Sequence, residues 1–223
     1  MTNVILAGNA ITAQIILGYL KRDTRYDAVA SVVDDDYVDK GSDYGIKCYG
    51  IDVISKHCKP TTHSVIMAAG YGNINKTRQS LFERLKSLGY TIVTYIHPDA
   101  RIYSHHPIGE GSVILPGAII EPNAKISTNT MVWCNTTIAH DSTVADHCWI
   151  ASGAVIAGNS SVGRNTFIGV NATIVDQVKV AEYNIIGAAA MISKCTKPNT
   201  VHLARSAEVF RYEADEYSQY FCS

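Results

Sequence analysis

Eight histidines and six cysteines are the side chains of this 223-residue chain best suited to acid–base, nucleophilic or metal chemistry near neutral pH. Their spacing excludes more than it selects. The cysteines at 48, 58, 134, 148, 195 and 222 form no CxxC pair, so a zinc site is not expected. His105-His106 has no third ligand at useful spacing and reads as a surface loop. His140 precedes Asp141, a pairing in which a carboxylate orients an imidazole and favours its protonated form. Such an imidazole suits general-base work. Asp141 reads equally well as a turn residue, and the residues alone do not set His140 apart from the other histidines.

The element that must position His140 is periodic. From Ile96 to Ile192, every sixth residue is Ile or Val, seventeen in succession, although those two types make up only 44 of the 223 residues. Six is not a helical period, and plain strand alternation would not reset every six residues. A short strand plus a corner does fit, three units closing one triangular coil with the aliphatic residue inward. Three residues after each aliphatic position from Ile108 stand Gly111, Gly117, Asn123, Asn129, Asn135, Asp141, His147, Gly153, Asn159, Asn165 and Asn171. Most are types that tolerate a left-handed backbone, and His147 is read as turn chemistry. One residue further the side chain is usually small, as at Ser112, Ala118, Thr130, Ser142 and Ser160. His140 occupies a corner position otherwise held by Pro116, Pro122, Thr128 or Ser152, so it is not a core histidine. The repeat carries 11 of the chain's 39 charged residues in 97 positions, which leaves charge-poor faces suited to contact with sister subunits or to a Thr/Ser/Asn-rich solvated surface.

Residues 1–95 alternate strand and helix patterns. Apolar runs at Val4–Ala7, Ala28–Val33, Ser64–Ala69 and Thr91–Tyr95 read as strands, and Ala10–Leu20 and Leu81–Leu88 as helices. That order predicts a small Rossmann-like parallel α/β domain with ligands at the strand ends, where Gly8, Asp34-Asp35 and Gly70 stand. Gly8 and Gly70 either approach a phosphate or only make tight turns. The first turn, Gly8-Asn9-Ala10-Ile11-Thr12-Ala13, is not GxGxxG, so a dinucleotide redox cofactor is not expected.

Net charge of −1 argues against nucleic acid as a partner, and no apolar stretch has the length of a membrane span. The N-terminus has no basic leader or cleavage site, so a cytoplasmic location with reduced thiols is expected.

The two halves in this order resemble the bacterial family of hexapeptide-repeat sugar acyltransferases, which includes sialic-acid O-acetyltransferase-like proteins and N-acetyltransferases acting on nucleotide-linked 4-amino-4,6-dideoxy sugars. The residues that carry the resemblance are the Gly8 turn, Val32-Val33-Asp34-Asp35, Gly70-Tyr71-Gly72-Asn73-Ile74-Asn75-Lys76-Thr77-Arg78, Tyr95-Ile96-His97-Pro98, Ile138-Ala139-His140-Asp141 and Phe167-Ile168-Gly169-Val170-Asn171-Ala172-Thr173. The resemblance covers residues 1 to about 195. It implies a left-handed parallel β-helix over 96–195, a C-terminal tail over 196–223, and a homotrimer with acetyl-CoA in a groove between neighbouring helices. It implies that residues 1–95 bind the nucleotide of the sugar substrate, for which the strand-end residues Gly8, Asp34, Asp35 and Gly70 are the candidates.

By the same resemblance His140 is the general base, with Asp141 beside it. Gly158 and Trp149 fall on the acetyl-CoA side, and Lys194 either meets CoA phosphates or is a solvated charge with no role. Gly158 would offer its amide to the thioester carbonyl or serve only as a turn glycine. Trp149 stands where some relatives carry a second histidine and cannot act as a base. Many relatives finish on Gly-x-Pro-Ala-Lys, which this chain replaces with a Tyr-rich acidic tail. The expected function is acetyl-CoA-dependent N-acetylation of a nucleotide-linked amino sugar for a surface polysaccharide or glycan. The alternatives are O-acetylation of a sugar and non-catalytic nucleotide-sugar binding.

Overall fold

A computed structural model describes residues 1–40 and 44–221; Cys222, the sixth cysteine, lies outside them. The five described cysteines are free thiols.

The first half builds a four-stranded parallel sheet from β1 (Thr2–Ala7), β2 (Tyr26–Val33), β3 (Lys47–Gly50) and β4 (Ser64–Met67), in the order β3-β2-β1-β4. Both faces are covered, one by α1 (Ile11–Leu20) and the other by α2 (Ile54–His57) and α3 (Lys76–Ser87). Ile5 and Ala7 point to a core closed by α3 through Leu81, Phe82 and Leu85. Val4 and Leu6 point to the other face, closed by α1 through Ala13, Ile16 and Leu17. Burial on both faces explains why these strands read as unbroken apolar runs.

Two expectations change here. β3 was not expected, because an edge strand reading Lys47-Cys48-Tyr49-Gly50 lacks the apolar run of its neighbours. Thr91–Tyr95 was expected as a further strand, yet Ile92 makes only one parallel bridge, to Val65. Tyr95–Ile96 instead pairs with Val113–Ile114 and opens the second half.

That second half is a parallel β-helix. Two-residue strands stack in parallel at intervals of eighteen residues, as Met131–Val132 on Trp149–Ile150 and Thr137–Ile138 on Val155–Ile156. They form faces of seven, six and four strands, the seven-stranded one closed at its far end by Val201–His202. The stacking fits a left-handed coil. The aliphatic column is the core: the fourteen members from Ile114 to Ile192 are buried, and Ile96, Ile102 and Ile108 pack against them.

The expected left-handed corners are present from Gly111 to Asn171, and the conformation continues through Gln177, Tyr183 and Ala189, whose types gave no sign of it. The small residues beside the corners do more than fit. Thr130 Oγ1 donates to the Ala145 carbonyl at 3.0 Å, Ser142 Oγ to Ala157 at 2.7 Å and Ser160 Oγ to Val175 at 2.9 Å. Buried hydroxyls thus bond to the next coil instead of lying unpaired in the core.

The two halves share a seam. Val113, Leu115, Met131 and Trp149, on the outer side of the seven-stranded face, complete the apolar core beneath α1. Beside it, Asn73, Ile74 and Asn75 are three successive left-handed residues that turn the chain into α3. Asn75 Nδ2 reaches the Asn165 and Thr166 carbonyls at 3.4 and 3.3 Å. Arg78 is fully buried and donates to the Asn129 and Ala69 carbonyls, each at 3.1 Å. Burial pulls its pKa down to about 9, which still leaves a cation at neutral pH.

Candidate active site

His140 and Asp141 turn the corner after the strand Thr137–Ile138. Asp141 has φ of 58°, so its side chain swings back beside the preceding ring. His140 Nδ1 and Asp141 Oδ2 are 3.0 Å apart, and Asn123 Nδ2, one coil below, donates to Asp141 Oδ1 at 3.0 Å. Both oxygens of Asp141 are therefore engaged. The turn role and the orienting role coincide in one residue.

Glu121 holds His140 from behind, its Oε2 accepting the His140 backbone N–H at 2.9 Å. With Nδ1 tied to Asp141, Nε2 has no hydrogen-bond partner among the described residues. The hydrogen bond to Asp141 raises the imidazole pKa above its ordinary value, and the charges of Asp141, Glu121 and Asp176 add to it. The same bond, with that from Asn123, holds the Asp141 carboxyl below its usual range. Both side chains remain about half exposed, 54% and 45%, so the pair is open to a substrate.

Nε2 points at Gly158, one coil above. A Cβ built on Gly158 would lie 2.6 Å from Nε2, 2.7 Å from Cε1 and 2.9 Å from Asp176 Oδ1. The residue is small because the ring lies over it, and its φ is not left-handed, so a turn requirement does not explain it. Its carbonyl accepts the Gln177 N–H at 3.0 Å, whereas its own N–H donates to no protein acceptor among the described residues. An amide left free beside the imidazole is the donor an acyl-transfer oxyanion needs. The arrangement supplies a base, a group that orients it and a hydrogen-bond donor at one exposed corner, which suits proton removal from a nucleophile attacking an acyl carbonyl.

Lys194 is exposed on the continuation of the same corner, beyond Asp176. Trp149 is not brought to it. It lies on the seven-stranded face, buried to 4% exposure, with Tyr71 edge-on at 5.1 Å and Trp133 at 5.4 Å. Tyr71 also packs on Phe167 at 4.6 Å, which ties the loop after β4 to the β-helix.

At the strand ends of the first half, Gly8, Asp34 and Gly70 surround one cavity of about 130 Å³, together with Asn9, Tyr37 and Thr77. Gly8 has φ of 142° and a Cβ there would strike the Ala68 carbonyl, so close backbone approach demands it. Gly70 faces open space. Asp34 forms an ion pair with Arg84, which also reaches Asp52 at 3.1 Å.

Asp35 does not join this group. It turns under β3, against Gly50, and accepts the Asp52 N–H at 3.4 Å. β2 ends at Val33 and a 3₁₀ turn over Asp35–Lys40 begins at Asp35, so only one of the two carboxylates faces the cavity. His105 and His106 lie ring against ring with centroids 4.1 Å apart, and the described residues hold no group of three potential metal ligands. His147 is a left-handed corner residue, as expected, with Nδ1 2.9 Å from Asn129 Nδ2.

Glu121, Asp176 and Arg84 were not singled out from sequence. The eighteen-residue step that leads from His140 to Gly158 leads next to Asp176, so that signal was present. The pairing of Arg84 with Asp34 depends on tertiary structure and left none.

No protein-family model matches the chain, and no curated protein matches it in sequence. Solved structures match it in fold. The acetyltransferase domain of PglB from Neisseria gonorrhoeae aligns with a TM-score of 0.82 and 22% identity, over 92% of this chain and 97% of that one. A histidine-to-asparagine mutant of perosamine N-acetyltransferase from Caulobacter crescentus, in complex with CoA and GDP-perosamine, aligns with a TM-score of 0.81 and 23% identity, over 92% and 94%. WeeI from Acinetobacter baumannii AYE aligns with a TM-score of 0.63 and 18% identity, over 91% and 97%. The chain therefore has a fold shared with solved acetyltransferases across nearly its whole length.

Proposed function

We propose that this protein is an acetyl-CoA-dependent N-acetyltransferase acting on a nucleotide-linked amino sugar of the 4-amino-4,6-dideoxyhexose type. The observation that carries the proposal is His140, held through Nδ1 by Asp141 with Nε2 free beside the unpaired amide of Gly158. A sugar amine in front of Nε2 forms a C–N bond to the acetyl carbon as the C–S bond breaks. Nε2 takes the proton that the nitrogen sheds, and CoA leaves as its thiolate. The Gly158 N–H faces the charge that grows on the carbonyl oxygen.

Residues 1–95 form the nucleotide-sugar domain in this reading, supported by the cavity at Gly8, Asp34 and Gly70. Residues 96–195 form the acyltransferase domain and 196–223 a tail. Perosamine N-acetyltransferase, of the same fold, binds CoA and GDP-perosamine. The charge-poor faces of the β-helix support a homotrimer. No helix among the described residues is long and apolar enough to cross a membrane. The product fits a surface polysaccharide or glycan.

The test is thiol release from acetyl-CoA with UDP-, dTDP- and GDP-linked 4-amino-4,6-dideoxyhexoses. The wild type should turn over at least one of them. His140→Ala should lower turnover by about two orders of magnitude or more, the usual worth of a positioned base. A folded His140→Ala protein with near-wild-type turnover refutes the assignment.

A further inference from the structure

The corner column that carries His140 and Gly158 continues, one coil on, into Asp176. Its carboxylate is aimed. Gln177 Nε2 donates to Oδ2 at 2.9 Å, and Oδ1 faces the space over Gly158, 2.9 Å from where a Cβ would stand. His140 Nε2 lies 2.6 Å from that same point. The missing side chain of Gly158 thus leaves a notch with an imidazole nitrogen and a carboxylate oxygen converging on it. Of the neighbouring carboxylates, Asp141 has both oxygens engaged and Glu121 holds the His140 backbone. Asp176 Oδ1 accepts no hydrogen bond from the described residues and faces the notch.

Two acceptors converging on one small space suit a nitrogen better than an oxygen. A sugar hydroxyl carries one proton, and a base that takes it leaves nothing for a second acceptor. A primary amine carries one proton for Nε2 and another for a carboxylate, and its ammonium form is drawn to the negative charge there. We propose that Asp176 is a specificity residue of the acyl-acceptor site, its Oδ1 accepting a hydrogen bond from the amino group that His140 deprotonates. Asp176 itself gives and takes no proton. The proposal rests on the acetyltransferase reading above and adds to it the group that selects an amine over a hydroxyl.

The test compares the full chain with Asp176→Asn in steady-state acetyl transfer. The acceptors are UDP-, dTDP- and GDP-linked 4-amino-4,6-dideoxyhexoses and their 4-hydroxy counterparts. Asp176→Asn should raise the KM of the amino sugar by about 10- to 100-fold, the worth of one charge-assisted hydrogen bond. The KM of acetyl-CoA should stay within about twofold of wild type, since the proposed contact is to the acceptor alone. The preference for amine over hydroxyl should narrow, and Asp176→Glu, which restores the charge, should recover part of the loss. Asp176→Ser serves as a second neutral variant if the asparagine protein fails to fold. Wild-type constants in the neutral variants, or an equal rise in both KM values, overturn the proposal while leaving the acetyltransferase reading in place. A wild type that acetylates none of these sugars, with His140→Ala indistinguishable from it, overturns both.

Discussion

Gly158→Ala is the substitution that tests the site most sharply, because it adds one methyl group and keeps the backbone amide. Gly158 is not in a left-handed conformation, so alanine suits its backbone. The new Cβ would stand 2.6 Å from His140 Nε2 and 2.7 Å from Cε1. Ordinary contacts begin near 3.5 Å, so the ring must retreat by about 1 Å. Nε2 faces Gly158 and Nδ1 faces Asp141, so that movement displaces Nε2 and disturbs the 3.0 Å bond between Nδ1 and Asp141. A misplacement of about 1 Å at a reacting group costs on the order of 100-fold in rate, about 2.7 kcal/mol of barrier. Stability should barely change, because the imidazole is half exposed and free to swing outward. Thiol release at saturating acetyl-CoA gives the rate, and thermal unfolding monitors the fold. Turnover within about twofold of wild type would refute the claim that Nε2 works in the space over Gly158. A loss of activity matched by a loss of folded protein would make Gly158 structural instead.

Asp141→Asn keeps the left-handed corner, since asparagine also tolerates that conformation, and removes the charge. Asp141 raises the His140 pKa and the base acts deprotonated, so the acid limb of kcat/KM should lie above pH 6.5 in the wild type and move to lower pH in the variant. The plateau should fall by less than in His140→Ala; an unmoved limb would show that Asp141 does not set the titration. Ala189→Gly relieves an exposed alanine held at φ of 56°. The left-handed cost of roughly 1–2 kcal/mol, less the roughly 0.4–1 kcal/mol by which glycine favours the unfolded chain, predicts a net gain of roughly 0.5–1 kcal/mol in urea unfolding. A variant less stable than wild type contradicts this.

The period of six made the β-helix legible because one residue type recurs where one physical demand recurs, an inward position with no room for charge. Corners were legible while they were filled by Gly, Asn and Asp. They became invisible at Gln177, Tyr183 and Ala189, where stacking on the preceding coils imposes the conformation regardless of type. His140 was chosen from a resemblance, and its bond to Asp141 and its approach to Gly158 are what the structure adds. Asp34 and Asp35 were indistinguishable in sequence because which of them faces the cavity depends on how the strand end turns toward β3. The seam was unreadable for the same kind of reason. Arg78 and Asn75 resemble surface residues of a helix start until the β-helix carbonyls that receive them are known.

The β-helix also has a consequence for how the molecule comes apart. Within the β-helix each coil stacks on the coils eighteen residues before and after it, so its order can be lost one rung at a time from a free end, as in a zipper. One end is not free. Arg78 grips the Asn129 carbonyl and Asn75 those of Asn165 and Thr166, which clamps the rungs between them to the folded first half. Fraying then starts at the other end, near Ile192 and Val201–His202. His140 lies inside the clamped span, so its ring keeps its place while the outermost rungs come and go.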